Sequence, residues 1–267
     1  MQDLNIAFLQ TDLVWEDPAA NHRQLEQKID SLDDDTDLVI LPEMFNTGFT
    51  VAPELHFETD DGLSVQWMKD ISSRKGFALM GSLIVKERNN YYNRLYFIRP
   101  DGPSSHYDKR HLFRMGKEHL RFSAGEKKNV VDFKGWRIMP MVCYDLRFPV
   151  WSKNTMVDGR HEYDLLVYVA NWPAARAFAW KSLLIARAIE NQAYVVGVNR
   201  IGKDGKNINY SGDSMAVDPQ GKLLVHATEG EDEKYSIKLS ATDLIKIRND
   251  FQVGLDWDQF ILYIRNV

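Results

Sequence analysis

Cysteine is almost missing from this chain: Cys143 is the only one in 267 residues. No intrachain disulfide can form, so the fold must rest on its core, and a reducing compartment is the expected setting. Long apolar runs are missing too. Nothing approaches the roughly eighteen residues of a membrane span, so no membrane association is expected. The amino terminus, Met-Gln-Asp-Leu-Asn-Ile-Ala-Phe-Leu-Gln, has no basic stretch and does not read as a secretory signal, which makes a cytoplasmic protein the expectation. Positive charge is not in excess. Lys and Arg number 33 against 38 Asp and Glu, a net charge of -5, which argues against nucleic acid as a partner. An anionic small ligand would need a local basic pocket, and Lys109-Arg110-His111-Leu112-Phe113-Arg114-Met115-Gly116-Lys117 supplies one candidate run. Gly/Ser-rich linkers, low-complexity segments and sustained repeats are also lacking, so residues 1–267 are expected to form one domain.

What is present is enough apolar material, 44% of residues, for a substantial core. Short β-branched runs recur at Leu4–Leu9, Asp37–Leu41, Phe77–Val85, Tyr91–Ile98, Trp136–Val142, Asp164–Ala170, Ala193–Val198, Ser214–Val217 and Lys234–Leu239, and are expected to be strands. Helices are expected over Pro18–Leu32, Gly62–Lys75 and Ala174–Asn191, the last with Ala177, Trp180, Leu184 and Ala188 at helical spacing. Arg99-Pro-Asp-Gly-Pro103 and Asp218-Pro-Gln-Gly-Lys222 carry the residues that chain reversals need. The alternation implies an α/β fold with a mixed sheet.

Three of these strands end on residues with chemistry. Asp37–Leu41 leads into Pro42-Glu43, Trp136–Val142 into Cys143, and Asp164–Ala170 into Asn171-Trp172-Pro173. If the strands were neighbours, their carboxyl ends would bring a carboxylate, a thiol and an amide–aromatic pair together. Free cysteine is commonly just a small buried residue, and Pro42-Glu43 alone is an ordinary turn. A nucleophilic thiol, however, needs a base or a positive neighbour. With ordinary pKa values, proton transfer from cysteine to glutamate is uphill by roughly 5.7 kcal/mol. Burial of the carboxyl and an adjacent ammonium both reduce that gap, so a glutamate base for Cys143 implies a lysine in the same pocket.

Leu41-Pro-Glu-Met-Phe45, Tyr107-Asp-Lys-Arg-His-Leu-Phe113 and Val142-Cys-Tyr-Asp-Leu-Arg-Phe-Pro149 resemble, in order, the three signature segments of the nitrilase superfamily. The resemblance continues through Asn171-Trp172-Pro173, Ala186–Gln192 and Gly212-Asp213-Ser214. It implies a four-layer α-β-β-α sandwich, commonly dimeric, with Glu43 as general base, Lys109 as oxyanion-stabilising cation, Cys143 as nucleophile and Glu118 as the second glutamate. No metal or organic cofactor is implied. The segments look most like the bacterial ω-amidase-type branch, which implies a small-molecule amide substrate such as α-ketoglutaramate or α-ketosuccinamate. On that reading the backbone amide of Tyr144 joins the oxyanion hole, Arg114, Arg147 or Arg176 holds the substrate carboxylate, and Phe45, Phe113 and Trp172 wall the pocket. The apolar segment 251–267 is expected to pack on a partner subunit in a homodimer.

Other readings stay open on sequence alone. A nitrilase or an N-carbamoyl amide hydrolase would use the same Glu/Lys/Cys groups. His111, two residues from Lys109, is an alternative base for the thiol. Gly212-Asp-Ser-Met-Ala216 begins like a nucleophile elbow but lacks the final glycine and precedes a hairpin. A catalytically silent scaffold would have no need of the Glu/Lys/Cys trio.

Overall fold

The computed structural model describes residues 1–263. Two six-stranded sheets carry the fold. The first contains β1 (Leu4–Gln10), β2 (Leu38–Ile40), β3 (Ala78–Glu87), β4 (Asn90–Ile98), β5 (Ser105–Asp108) and the late strand β12 (Glu233–Leu239), ordered β12-β1-β2-β3-β4-β5. The second is built from β6 (Val131–Phe133), β7 (Trp136–Val142), β8 (Leu165–Ala170), β9 (Tyr194–Asn199), β10 (Met215–Val217) and β11 (Leu223–His226), which lie side by side in chain order. Each sheet is parallel at its centre and antiparallel toward its edges. The reversals at Arg99–Pro103 and Asp218–Lys222 join β4 to β5 and β10 to β11 as the turn chemistry predicts.

Alternation in the first sheet decides the layering. Leu4, Ile6, Phe8, Leu38, Ile40, Ala78, Met80, Leu95 and Phe97 point into a core shared with the second sheet. Ala7, Leu9, Val39, Leu41, Leu79, Leu83 and Tyr96 point the other way. That outer face is covered by α1 (Pro18–Asp30), through Leu25 and Ile29, and by α2 (Leu63–Lys75), through Val65, Met68 and Ile71. On the far side, α3 (Ala177–Asn191) lays Trp180, Leu184 and Ala188 on the second sheet. The result is the expected four-layer α-β-β-α sandwich.

Local chemistry sets the helix ends. Asp17 caps α1 by accepting from the Ala20 amide at 2.9 Å, with Pro18 at the first helical position. α2 stops at Gly76, whose φ of +77° suits glycine. α3 begins later than the sequence suggests, because Ala174–Arg176 winds as a 3₁₀ turn first. The short strands β5, β6 and β11 and a further helix, α4 (Ala241–Asp250), are additions to the sequence reading. Among the described residues no helix is long and apolar enough to cross a membrane.

The tail starts with a 3₁₀ turn at Val253–Asp256. Trp257 then meets His161 edge-on with ring centroids 5.3 Å apart, and Lys153 Nζ sits 3.8 Å above its ring. Beyond it Ile261 and Tyr263 are 78% and 86% exposed, so the chain's own surface leaves this apolar end uncovered. Residues 264–267 of the expected interface segment lie outside the described residues.

Candidate active site

β7 and β8 are parallel neighbours, with Val142 paired to Val169, so Cys143 and Asn171 leave adjacent strands on the same side. β2, which delivers Glu43, belongs to the other sheet. The three groups therefore meet across the sandwich rather than along one sheet edge. β5 delivers Lys109 at the end of the first sheet, where the Lys109 amide donates to Asn93 O at 2.9 Å.

Cys143 turns sharply out of β7 with a φ of +43°, a left-handed conformation that costs a non-glycine residue energy, and opens the 3₁₀ turn Cys143–Arg147. Its Sγ lies 3.9 Å from Asn171 O. Burial raises the thiol pKa well above its ordinary value, and the charge of Glu43 raises it further while Lys109 opposes both.

Lys109 Nζ is fully buried and bonded to Glu43 Oε1 at 2.8 Å and to Glu118 Oε2 at 3.0 Å. Asn93 Nδ2 bridges the same two carboxylates, at 2.8 Å to Glu43 and 3.2 Å to Glu118. The other oxygen of Glu43 accepts from the Asn171 amide at 2.8 Å, and Glu118 Oε2, which also meets Lys109, accepts from the Phe113 amide at 2.6 Å. Burial alone would discharge Lys109, but Glu118 and Glu43 more than reverse this and hold the ammonium well above the usual lysine range. Glu118 moves upward as well, by burial and by repulsion from Glu43, although Lys109 pulls the other way. Burial first, and then the negative charge of the neighbouring carboxylates, keeps the resting thiol protonated against the pull of Lys109.

A cavity of about 310 Å³ opens onto Cys143 and Lys109. Phe113, Tyr144, Arg147, Trp172 and Arg176 line it as expected. The Arg147 guanidinium lies 4.9 Å over the Trp172 ring, Arg176 lies 5.6 Å over Phe113, and Tyr144 meets Phe113 edge-on. Arg114 is not brought there; it borders a separate surface groove with Arg110, His111 and His119. Phe45 is also displaced from its expected place: it is fully buried in the core between the first sheet and its helices, packed toward Gly81. His111 does not line the cavity either. Its Nδ1 bonds to Asp145 Oδ1 at 2.8 Å and its ring stacks on Phe148. Ser214 is buried with its hydroxyl bonded to Asn199, which removes it as a nucleophile.

The sequence reading passed over Asn93, Lys206 and Tyr210, whereas Lys117 closes the basic run it did single out. Asn93 is a polar residue at a buried position of a strand, which is the signal that could have found it. Lys117 and Lys206 join Lys109, Arg147 and Arg176, so five basic side chains line the cavity against one carboxylate, Asp204. Asp204 is already occupied by the Lys206 and Ile208 amides and by Tyr210 Oη at 3.0 Å.

The α-β-β-α sandwich, with a buried glutamate, lysine and cysteine gathered beside one cavity, places the chain among hydrolases of carbon–nitrogen bonds. The chain belongs to the carbon-nitrogen hydrolase family, whose model matches residues 5–248. It is 41% identical to omega-amidase YafV of Escherichia coli K12, with 98% of this chain and 100% of that one covered. It is 35% identical to the 2-oxoglutaramate amidase of Bacillus subtilis over 85% and 87% of the two chains. Among solved structures, XC1258 of Xanthomonas campestris, a CN-hydrolase superfamily protein with an arsenic adduct in its active site, superposes with a TM-score of 0.96. It is 43% identical over 98% of this chain and 100% of that one.

Proposed function

We propose that this enzyme is an amidohydrolase for small α-keto acid amides of the α-ketoglutaramate and α-ketosuccinamate type, releasing ammonia through a thioester on Cys143. The observation that carries the reading is the fully buried Lys109, held between Glu43 and Glu118 at the cavity that Cys143 lines. The relatives named omega-amidase and 2-oxoglutaramate amidase support the substrate class.

Glu43 takes the thiol proton as sulfur attacks the amide carbon, forming the S–C bond and an oxyanion. Lys109 and the Tyr144 amide stabilise that oxyanion. On its collapse the C–N bond breaks, Glu43 returns the proton to nitrogen, and ammonia leaves. Glu43 then takes a proton from water, whose oxygen attacks the thioester; the C–S bond breaks and the thiol is restored with the dicarboxylate product. Glu118 holds Lys109 charged and in place.

The distal carboxylate of such a substrate needs a cation. Arg147 and Arg176 line the cavity without a carboxylate partner among the described residues, and Lys206 joins them from the loop between β9 and β10. The apolar, exposed end of the tail supports a homodimer with residues 251–267 at its interface. Sedimentation analysis at micromolar concentration should give the dimer mass, and a monomer would count heavily against this assembly.

The test of function is ammonia release from a panel of α-ketoglutaramate, glutamine, asparagine, N-carbamoyl amino acids and simple nitriles. The keto acid amide should lead, and Cys143→Ala should abolish turnover with the fold intact by circular dichroism. Undiminished turnover in that variant would defeat the assignment.

A further inference from the structure

The side chain of Asp145 is fully buried, two residues past Cys143, and the reaction outlined above gives it no task. All of its acceptor capacity is turned toward the segments that carry Lys109 and Cys143. Oδ1 accepts from the His111 amide at 2.9 Å and faces His111 Nδ1 at 2.8 Å. Oδ2 accepts from Tyr107 Oη at 2.8 Å and from the Val142 amide at 3.1 Å. An ionised carboxylate is acceptor-only, so His111 Nδ1 carries a proton here.

The topology gives this cluster its purpose. Lys109 lies between Tyr107 and His111 in the chain, and Val142 immediately precedes Cys143. β5 is the edge strand of one sheet and β7 belongs to the other, so no ladder of backbone hydrogen bonds fixes Lys109 relative to Cys143. The Asp145 carboxylate makes that link: Oδ1 holds the His111 flank of Lys109, and Oδ2 holds the Tyr107 flank together with the entry to the strained Cys143 turn.

We infer that Asp145 is a positioning residue for the hydrolysis, holding the Lys109 ammonium and the Cys143 thiol in register across the two sheets. The inference rests on the proposed roles of those two residues. It also explains why asparagine is no neutral replacement: each carboxylate oxygen faces a backbone N–H, so the NH₂ of asparagine would meet a donor in either orientation.

The test uses Asp145→Asn in the full-length enzyme, with three readouts below its melting temperature: kcat, KM, and the rate at which iodoacetamide alkylates the single thiol. Misplacement of the reacting groups should lower kcat by about 100-fold and slow alkylation, while KM, set by the aromatic and basic cavity wall, stays unchanged. A folded Asp145→Asn protein with wild-type kcat and alkylation rate overturns the inference, because a purely structural aspartate would lower only the melting temperature. If that variant does not fold, Tyr107→Phe removes one donor from Oδ2 and keeps the ring. It should show the same split on a smaller scale, and unchanged kcat and alkylation in folded Tyr107→Phe overturn the inference equally. Cys143→Ala assayed alongside separates the two levels: turnover surviving there sinks the underlying reaction, whereas turnover lost there but kept in Asp145→Asn sinks only the positioning role.

Discussion

At the scale of single residues, Glu43 affects Cys143 in two opposed ways that experiment can separate. In the proposed reaction its carboxylate is the proton acceptor, yet its charge raises the pKa of the buried thiol, against the pull of Lys109. Glu43→Gln should therefore lower turnover by 10²- to 10⁴-fold, the usual contribution of a general base. The thiol should nonetheless titrate at a lower pH than in the native enzyme, because a negative neighbour has gone and Lys109 remains. Iodoacetamide alkylation followed against pH reads this directly, since no second cysteine contributes background. A titration midpoint that moves upward would contradict the electrostatic account. His111→Ala should cost much less turnover than Glu43→Gln, since the His111 ring lies against Phe148 and Asp145 rather than in the cavity. The reverse ranking would restore histidine as the base.

At the scale of elements, the fit between α3 and the second sheet leaves no room above Gly197 of β9. A Cβ added there would overlap Leu184 Cδ1 and approach Trp180 Cζ2 to 2.8 Å. Gly197→Ala should cost about 1–3 kcal/mol through overpacking, read as a fall of several degrees in a thermal melt; an unchanged melting temperature would mean that α3 shifts freely on the sheet. This contact was not legible in the sequence, although both partners were: Trp180 and Leu184 stand at helical spacing and Gly197 interrupts a strand run. Strands with long β-branched runs were legible for the same reason, because burial on both faces demands continuous apolar sequence. β5, β6 and β11 have three or four residues each and no run to see. α4 did leave a signal, Ser240 three residues before Asp243, and the Ser240 hydroxyl accepts from the Asp243 amide at 3.1 Å. In the site, Glu43, Lys109 and Cys143 were legible because their chemistry is mutually dependent. Lys206 was not, because a lysine in a loop acquires meaning only when the fold brings it to the cavity, and Asn93 left only the faint signal of an amide within a buried strand.

At the scale of the whole molecule, two histidines in different layers set how the fold responds to acid. His22, on α1, stacks on Trp67 with ring centroids 4.7 Å apart and bonds to Ser64 Oγ at 2.9 Å. His161 packs beneath the tail against Trp257. Burial lowers the pKa of each to about 4, against the weak upward pull of Glu26 on the first and with the charge of Arg248 assisting on the second. In the unfolded chain both titrate near 6.5. Between those values the unfolded state binds more protons than the folded one, so stability rises with pH. The histidine contribution is complete above about pH 6.5 and is lost as pH falls toward about 4. Glu118 acts in the opposite sense, since its raised pKa favours the fold while the carboxyl is protonated and the benefit fades as pH rises through the folded value. Thermal melts from pH 7 down to pH 4 should therefore show a falling melting temperature, with a shallower slope in His22→Gln, whose amide keeps a donor for Ser64 but has no proton to gain. Because Asp60, whose carboxyl is held below its ordinary value by Tyr96 and Arg94 against the cost of burial, loses its contribution only at lower pH, it does not mimic the histidine window. An identical slope in His22→Gln and native protein would show that α1 tolerates a charged imidazole against Trp67, and that the acid response originates elsewhere in the sandwich.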